Sequence, residues 1–102
     1  MARTIEGLSS GVLVIGVNAI YPSSGKTSLT VLVLTNTENT VKTCSIYLDR
    51  GISRLLDTVT VPANKAVRVS VVNGVVLDAT DELTITASAG SINYDLSGWV
   101  VT

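Results

Sequence analysis

Val41-Lys42-Thr43-Cys44-Ser45-Ile46-Tyr47-Leu48-Asp49 alternates residue by residue: Cys44, Ile46 and Leu48 share one face, while Thr43, Ser45 and Tyr47 share the other. Side chains that switch face at every step are the signature of a β-strand with one buried side. Arg50-Gly51 breaks the pattern on one flank, and Asn36-Thr37-Glu38-Asn39 supplies a turn on the other. Towards the N-terminus, Leu29 to Thr35 is apolar on both faces, as in a central strand. Pro22-Ser23-Ser24-Gly25 carries turn chemistry and ends a first strand over Val12 to Tyr21. Towards the C-terminus, a less regular stretch from Ile52 to Leu56 leads into a strand over Asp57 to Val61. After the Pro62-Ala63-Asn64-Lys65 turn, Val67, Val69 and Val71 point one way and Arg68 and Ser70 the other.

Asn73-Gly74 is a tight-turn dipeptide, and Val75 to Leu77 is too short to count as a separate strand. Leu83, Ile85 and Ala87 alternate with Thr84 and Thr86. Ala89-Gly90-Ser91 then reads as a hairpin loop before Ile92, Tyr94 and Leu96, with Gly98 marking a bulge ahead of Trp99 to Val101. Short strands at this spacing, separated by Gly, Pro and Asn turns, predict an all-β fold. The expectation is a single antiparallel β-sandwich of about seven strands, with immunoglobulin-like or jelly-roll-like connectivity. Met1 to Gly11 is small, polar and weakly patterned, and reads as an N-terminal arm (residues 1–11) ahead of a sandwich domain over residues 12–102.

Composition agrees. The 102 residues include 16 Val, 7 Ile and 13 Thr, β-branched side chains that fit a pleated surface better than a helix. Charged residues make up only 15% of the chain, against about 25% in an ordinary soluble domain. With a mean hydropathy of +0.49, so few charges leave two readings: a well-filled sandwich whose surface is mainly Thr and Ser, or, preferred, a surface partly covered by other subunits. A net charge of −1 with scattered signs gives no basic face for nucleic acid. With no His and one Cys, the chain lacks the usual general base and the usual transition-metal ligands. It is read as no enzyme, without cofactor or small-molecule substrate. The apolar run from Val12 to Val17 is too short for a signal-peptide core or a membrane span. A cytosolically made, unprocessed chain without a signal peptide is expected, with no membrane partner.

The chemical motifs are weak. Ser24-Gly25-Lys26-Thr27 ends like a phosphate-binding loop, but Ile20 stands where that motif requires glycine, and a strand follows where it requires a helix. Asp78, Asp81 and Glu82 form the densest acidic cluster, with Asp57 or Asp95 as candidates to join it in space. Such a loop offers hard oxygen ligands to calcium, or it is simply a solvated turn in which Asp side chains bind backbone N–H groups. Cys44 reads as a buried small apolar side chain. Tyr94 follows the apolar face of its strand, with its hydroxyl reaching a partner. Trp99 is the best interface anchor by residue type, and core and interface readings stand level for it. Arg3, Ile5, Leu8, Trp99 and Val101 are the candidate interface residues.

Tyr21 with Ser23-Ser24-Gly25-Lys26-Thr27, the strand end Leu34-Thr35-Asn36-Thr37, the run Val76-Leu77-Asp78-Ala79-Thr80-Asp81 and the Ala89-Gly90-Ser91 loop closing at Ser97-Gly98 form a running pattern over Tyr21 to Gly98. In this the chain resembles the small β-sandwich accessory proteins of tailed-bacteriophage virions, although its charges are scarcer. The resemblance implies a multi-copy, non-enzymatic virion structural protein with no catalytic residues to carry over. Its expected partners are other virion proteins (major capsid or tail and neck subunits) and further copies of itself. A capsid decoration or cement protein is preferred over a neck or tail accessory subunit. A secreted adhesin or carbohydrate-binding module is the alternative of a different class.

Overall fold

The computed structural model describes residues 3–22 and 25–101. Nine strands follow in order: β1 (Arg3–Leu13), β2 (Gly16–Pro22), β3 (Thr27–Asn36), β4 (Lys42–Asp49), β5 (Ser53–Val61), β6 (Ala66–Val69), β7 (Val76–Leu77), β8 (Glu82–Ala87) and β9 (Ile92–Val101). One sheet has the order β1-β9-β3-β6, with the short β7 also on β3, and the other has the order β2-β8-β4-β5. Every pairing is antiparallel. The chain passes back and forth between the sheets except from β4 to β5 and from β6 to β7, and the first and last strands pair with each other. That is jelly-roll connectivity, two interlocked Greek keys closed into a sandwich.

The alternation quoted first places the core. Cys44, Ile46 and Leu48 on β4 meet Leu83, Ile85 and Ala87 on β8, and Leu29, Leu32, Leu34, Ile92 and Leu96 face them from the other sheet, all buried. Each large aliphatic side chain withdrawn from water in this way contributes about 1.5–3 kcal/mol.

Several sequence expectations are corrected: nine strands stand in place of about seven, and Val76–Leu77 is a strand of its own, paired with β3. The stretch read as an arm is most of β1, paired with β9 from Arg3↔Val101 to Leu13↔Ile92. Its Gly and Ser residues carry no apolar stripe because it is an edge strand whose inner positions hold Ser9 and Gly11. The single strand expected over Val12 to Tyr21 is divided at Val14-Ile15, where the chain turns a corner from one sheet to the other. Gly16 makes that corner feasible with φ of +99°, a conformation open to glycine at little cost. The Ala89-Gly90-Ser91 segment is no hairpin, because β8 and β9 lie in different sheets and the loop crosses between them. The strand through Val67, Val69 and Val71 stops at Val69, and Ser70–Val72 forms a 3-10 turn that buries Val72.

Gly98 itself is not bulged. Its two neighbours are, at Leu8 on β1 and Thr30 on β3. A Cβ at Gly98 would lie 2.4 Å from the Ser28 carbonyl oxygen and 3.0 Å from Leu8 Cδ1. The flanking strands close over a position that only glycine fits.

Candidate functional site

At one end of the sandwich the loops are tied together by Asn36 and Lys42, both buried. Asn36 donates from Nδ2 to the carbonyls of Thr40 and Val61 and accepts from the Glu38 N–H, while its own N–H reaches Lys65 O. Lys42 donates to Gly90 O at 2.6 Å and pairs with Glu38. Thr37 Oγ1 donates to Ser91 O at 3.2 Å. Burying an ammonium without partners would be costly; here it is satisfied and staples two loops.

At the other end the acidic cluster is neutralised from within. Arg50 Nε lies 3.2 Å from the Asp81 carboxylate, and Lys26 lies 3.6 Å from Asp78. Asp81 also accepts the Asp78 N–H at 2.9 Å, the turn chemistry set beside the calcium reading. Arg50 donates to Val76 O as well, joining the β4–β5 turn to β7. Glu82 continues into β8, opposite Asp49 on β4 and Pro22 on β2. Among the described residues, no three His, Cys, Asp or Glu side chains gather as metal ligands, and none of the described surface encloses a pocket.

The phosphate-loop fragment falls partly outside the described residues, at Ser24; Thr27 begins β3, and its Oγ1 lies 3.3 Å from the Tyr21 hydroxyl. Cys44 is buried, and burial pushes its thiol above the ordinary range against the opposing pull of Lys42. Such a thiol is held protonated and unreactive. Tyr94 packs on the core, stacks over Gly11 and places its hydroxyl 3.2 Å from Ser9 Oγ.

Register gathers most of the candidate interface residues. Ile5 stands opposite Trp99, and Arg3 stands opposite Val101 two residues along. Trp99 is partly buried and has Ser28 on its other flank. Leu8 separates from this group: it is the bulged residue of β1 and packs against the core.

What the residue-by-residue search missed is larger. No charged residue occurs from Gly7 to Gly25. That run supplies most of β1, the corner and all of β2. Because β1 and β2 are edge strands of opposite sheets, the run makes most of one side of the sandwich, the first four residues of β1 excepted. Val12 and Val14 are each 62% exposed there, and Ile15 and Val17 each 72%. Among the described residues Val41, Ile52 and Leu55 are comparably open, and Val71 and Val76 are exposed to a lesser degree. Isolated exposed aliphatics need no explanation, whereas grouped ones mark a contact surface; these four are close in sequence, with Val12 and Val17 on edge strands of different sheets and Val14-Ile15 at the corner between them. The uncharged run was the available signal, and it is a property of spacing between charges rather than of any motif. Fold and surface together define a jelly-roll sandwich with one side that carries no charge from Gly7 to Gly25. Comparison with known protein families, with curated proteins and with solved structures finds no match.

Proposed function

We propose that this chain is a non-enzymatic structural subunit of a virion, a multi-copy capsid decoration or cement protein that binds the assembled shell. The observation that carries the reading is the uncharged side from Gly7 to Gly25, with Val12, Val14, Ile15 and Val17 turned to solvent. A chain with 15% charged residues and such a side is suited to a covered setting rather than to life as an isolated monomer. Jelly rolls occur in viral capsid domains, and in lectins and cupins as well, so the fold is compatible with the reading without selecting it. A subunit that binds only the assembled shell stabilises it by mass action, by RT ln(1 + [L]/Kd) per site.

The test is sedimentation of the purified chain with and without candidate shells, followed by thermal disruption of the loaded shells. Co-sedimentation and a raised disruption temperature are expected, both weakened by Ile15→Lys. Binding to a glycan array with no affinity for any shell would overturn the proposal in favour of a carbohydrate-binding module.

A further inference from the structure

We propose that the free edge of β1, over Ser9–Leu13, pairs antiparallel with the same edge of a second copy of this chain, so that the β1-β9-β3-β6 sheet continues across a two-fold axis. Exposed sheet edges recruit other strands unless shortness, Pro, charge or a bulge blocks them. Three of the four edges carry such blocks. β6 has only four residues and exposes Arg68. β5 exposes Arg54 and Asp57, and the Asp57 carboxylate takes up the Thr58 N–H at 2.8 Å. β2 is irregular between Ala19 and Tyr21 and ends in Pro22.

β1 differs. It runs eleven residues, and its pairing with β9 is regular from Ser9 to Leu13. From Gly7 onward it holds neither Pro nor charge, and β9 occupies only one of its edges. Like charges directly opposite each other oppose strand pairing. An antiparallel self-pairing centred anywhere from Ser9 to Gly11 sets no charge against another, whereas β5 paired on itself about Asp57 would set two carboxylates face to face. The exposed side chains point the same way. Of the nine exposed large aliphatics among the described residues, four lie between Val12 and Val17. Val12 lies within the paired stretch and Val14 and Ile15 directly follow it, while Val17 belongs to β2 in the other sheet.

The proposal deepens the assembly reading above, and the two fail separately. Sedimentation of the full chain over a concentration series is expected to show a dimer. The double variant Ser10→Lys, Val12→Lys should raise its dissociation constant at least tenfold, while Thr60→Lys on β5 leaves it unchanged. Amide exchange of the unaltered chain is the second readout. Alternate amides within Ser9–Leu13 should slow at least tenfold as the dimer forms, and those of β5 should not. A chain that stays monomeric, or a dimer that leaves the β1 amides unprotected, would overturn the self-pairing. A monomer that still co-sediments with shells refutes the pairing but not the virion reading. A β1-paired dimer that ignores every shell supports the pairing and removes that reading.

Discussion

Gly98 and Thr80 are opposite cases of how a backbone constrains residue choice. At Gly98 the nearest obstacle to a Cβ is a main-chain oxygen, 2.4 Å away, which cannot swing aside as a flexible side chain could. Gly98→Ala should therefore cost about 1–3 kcal/mol by overpacking, read as a fall in Tm of about 4–8 °C per kcal/mol for a domain this size. Thr80 has a φ of +76°, a region where a β-branched residue is strained. It sits in the turn closed by the Asp81 N–H on Asp78 O. Thr80→Gly should raise stability by about 1 kcal/mol, and an unchanged or lowered Tm would show that the loop carries no such strain. Neither effect could be read from the sequence in full. Gly98 announced that something unusual lay there, but which strands bulged depends on neighbours far along the chain. Thr80 gave no sign, because nothing in its residue type calls for a positive φ. Cys44 was legible for the opposite reason: its environment follows from local alternation alone.

Elements that keep to one sheet and one period were readable, and connections between sheets were not. β4 and β8 alternate without interruption, so their inner faces could be assigned position by position. The corner between β1 and β2 is written in a form the sequence does not advertise. Val14-Ile15 is as apolar as the strands it joins, and the bend is held by a side chain four residues away. Asn18 Oδ1 accepts the Val14 N–H at 3.0 Å, and its Nδ2 donates to the carbonyls of Val14, Gly16 and Ile85. Asn18→Ala would release these groups together. With part of the site open to water, a loss of about 1–2 kcal/mol is expected, measurable by urea denaturation with an unchanged m-value. Asn18→Asp should not recover that loss, because its second carboxylate oxygen would face the carbonyl oxygens of Val14, Gly16 and Ile85 that Nδ2 now serves. The Ala89-Gly90-Ser91 loop misled for a related reason: its composition suits a hairpin and a sheet-to-sheet crossing equally, and only the pairing of β8 with β4 and of β9 with β3 distinguishes them.

At the scale of the molecule, charge is distributed by side. The described ion pairs lie in the end loops, Glu38 with Lys42 at one end, Lys26 with Asp78 and Arg50 with Asp81 at the other, while the side built from β1 and β2 carries no charge after Glu6. An association through that side should be insensitive to screening. Raising salt from about 0.1 M to about 1 M, which shortens the Debye length from about 10 Å to about 3 Å, should leave the dimer constant unchanged or slightly tighter. A marked weakening would place the contact at the charged ends instead. The low overall charge was visible from composition, but its segregation to one side was not, because it emerges only when two edges of different sheets are brought together by the corner.

The position of β9 has a consequence in time. It is the last strand in the sequence, yet it lies between β1 and β3, two strands that have no contact in the sheet without it. A nascent chain emerging N-terminus first can assemble β4 with β5 early, but the other sheet has no middle until Ile92–Val101 has been made. Such long-range closure is slow, and it leaves strands waiting unpaired. During that interval β1, uncharged from Gly7 to Leu13, is open along both of its edges, so the segment best suited to join two finished molecules is also the one most exposed to joining unfinished ones. Crowding of nascent chains is thus the condition under which this protein is most prone to aggregate, and the completion of β9 is the step that ends the risk on one edge and leaves the other for assembly.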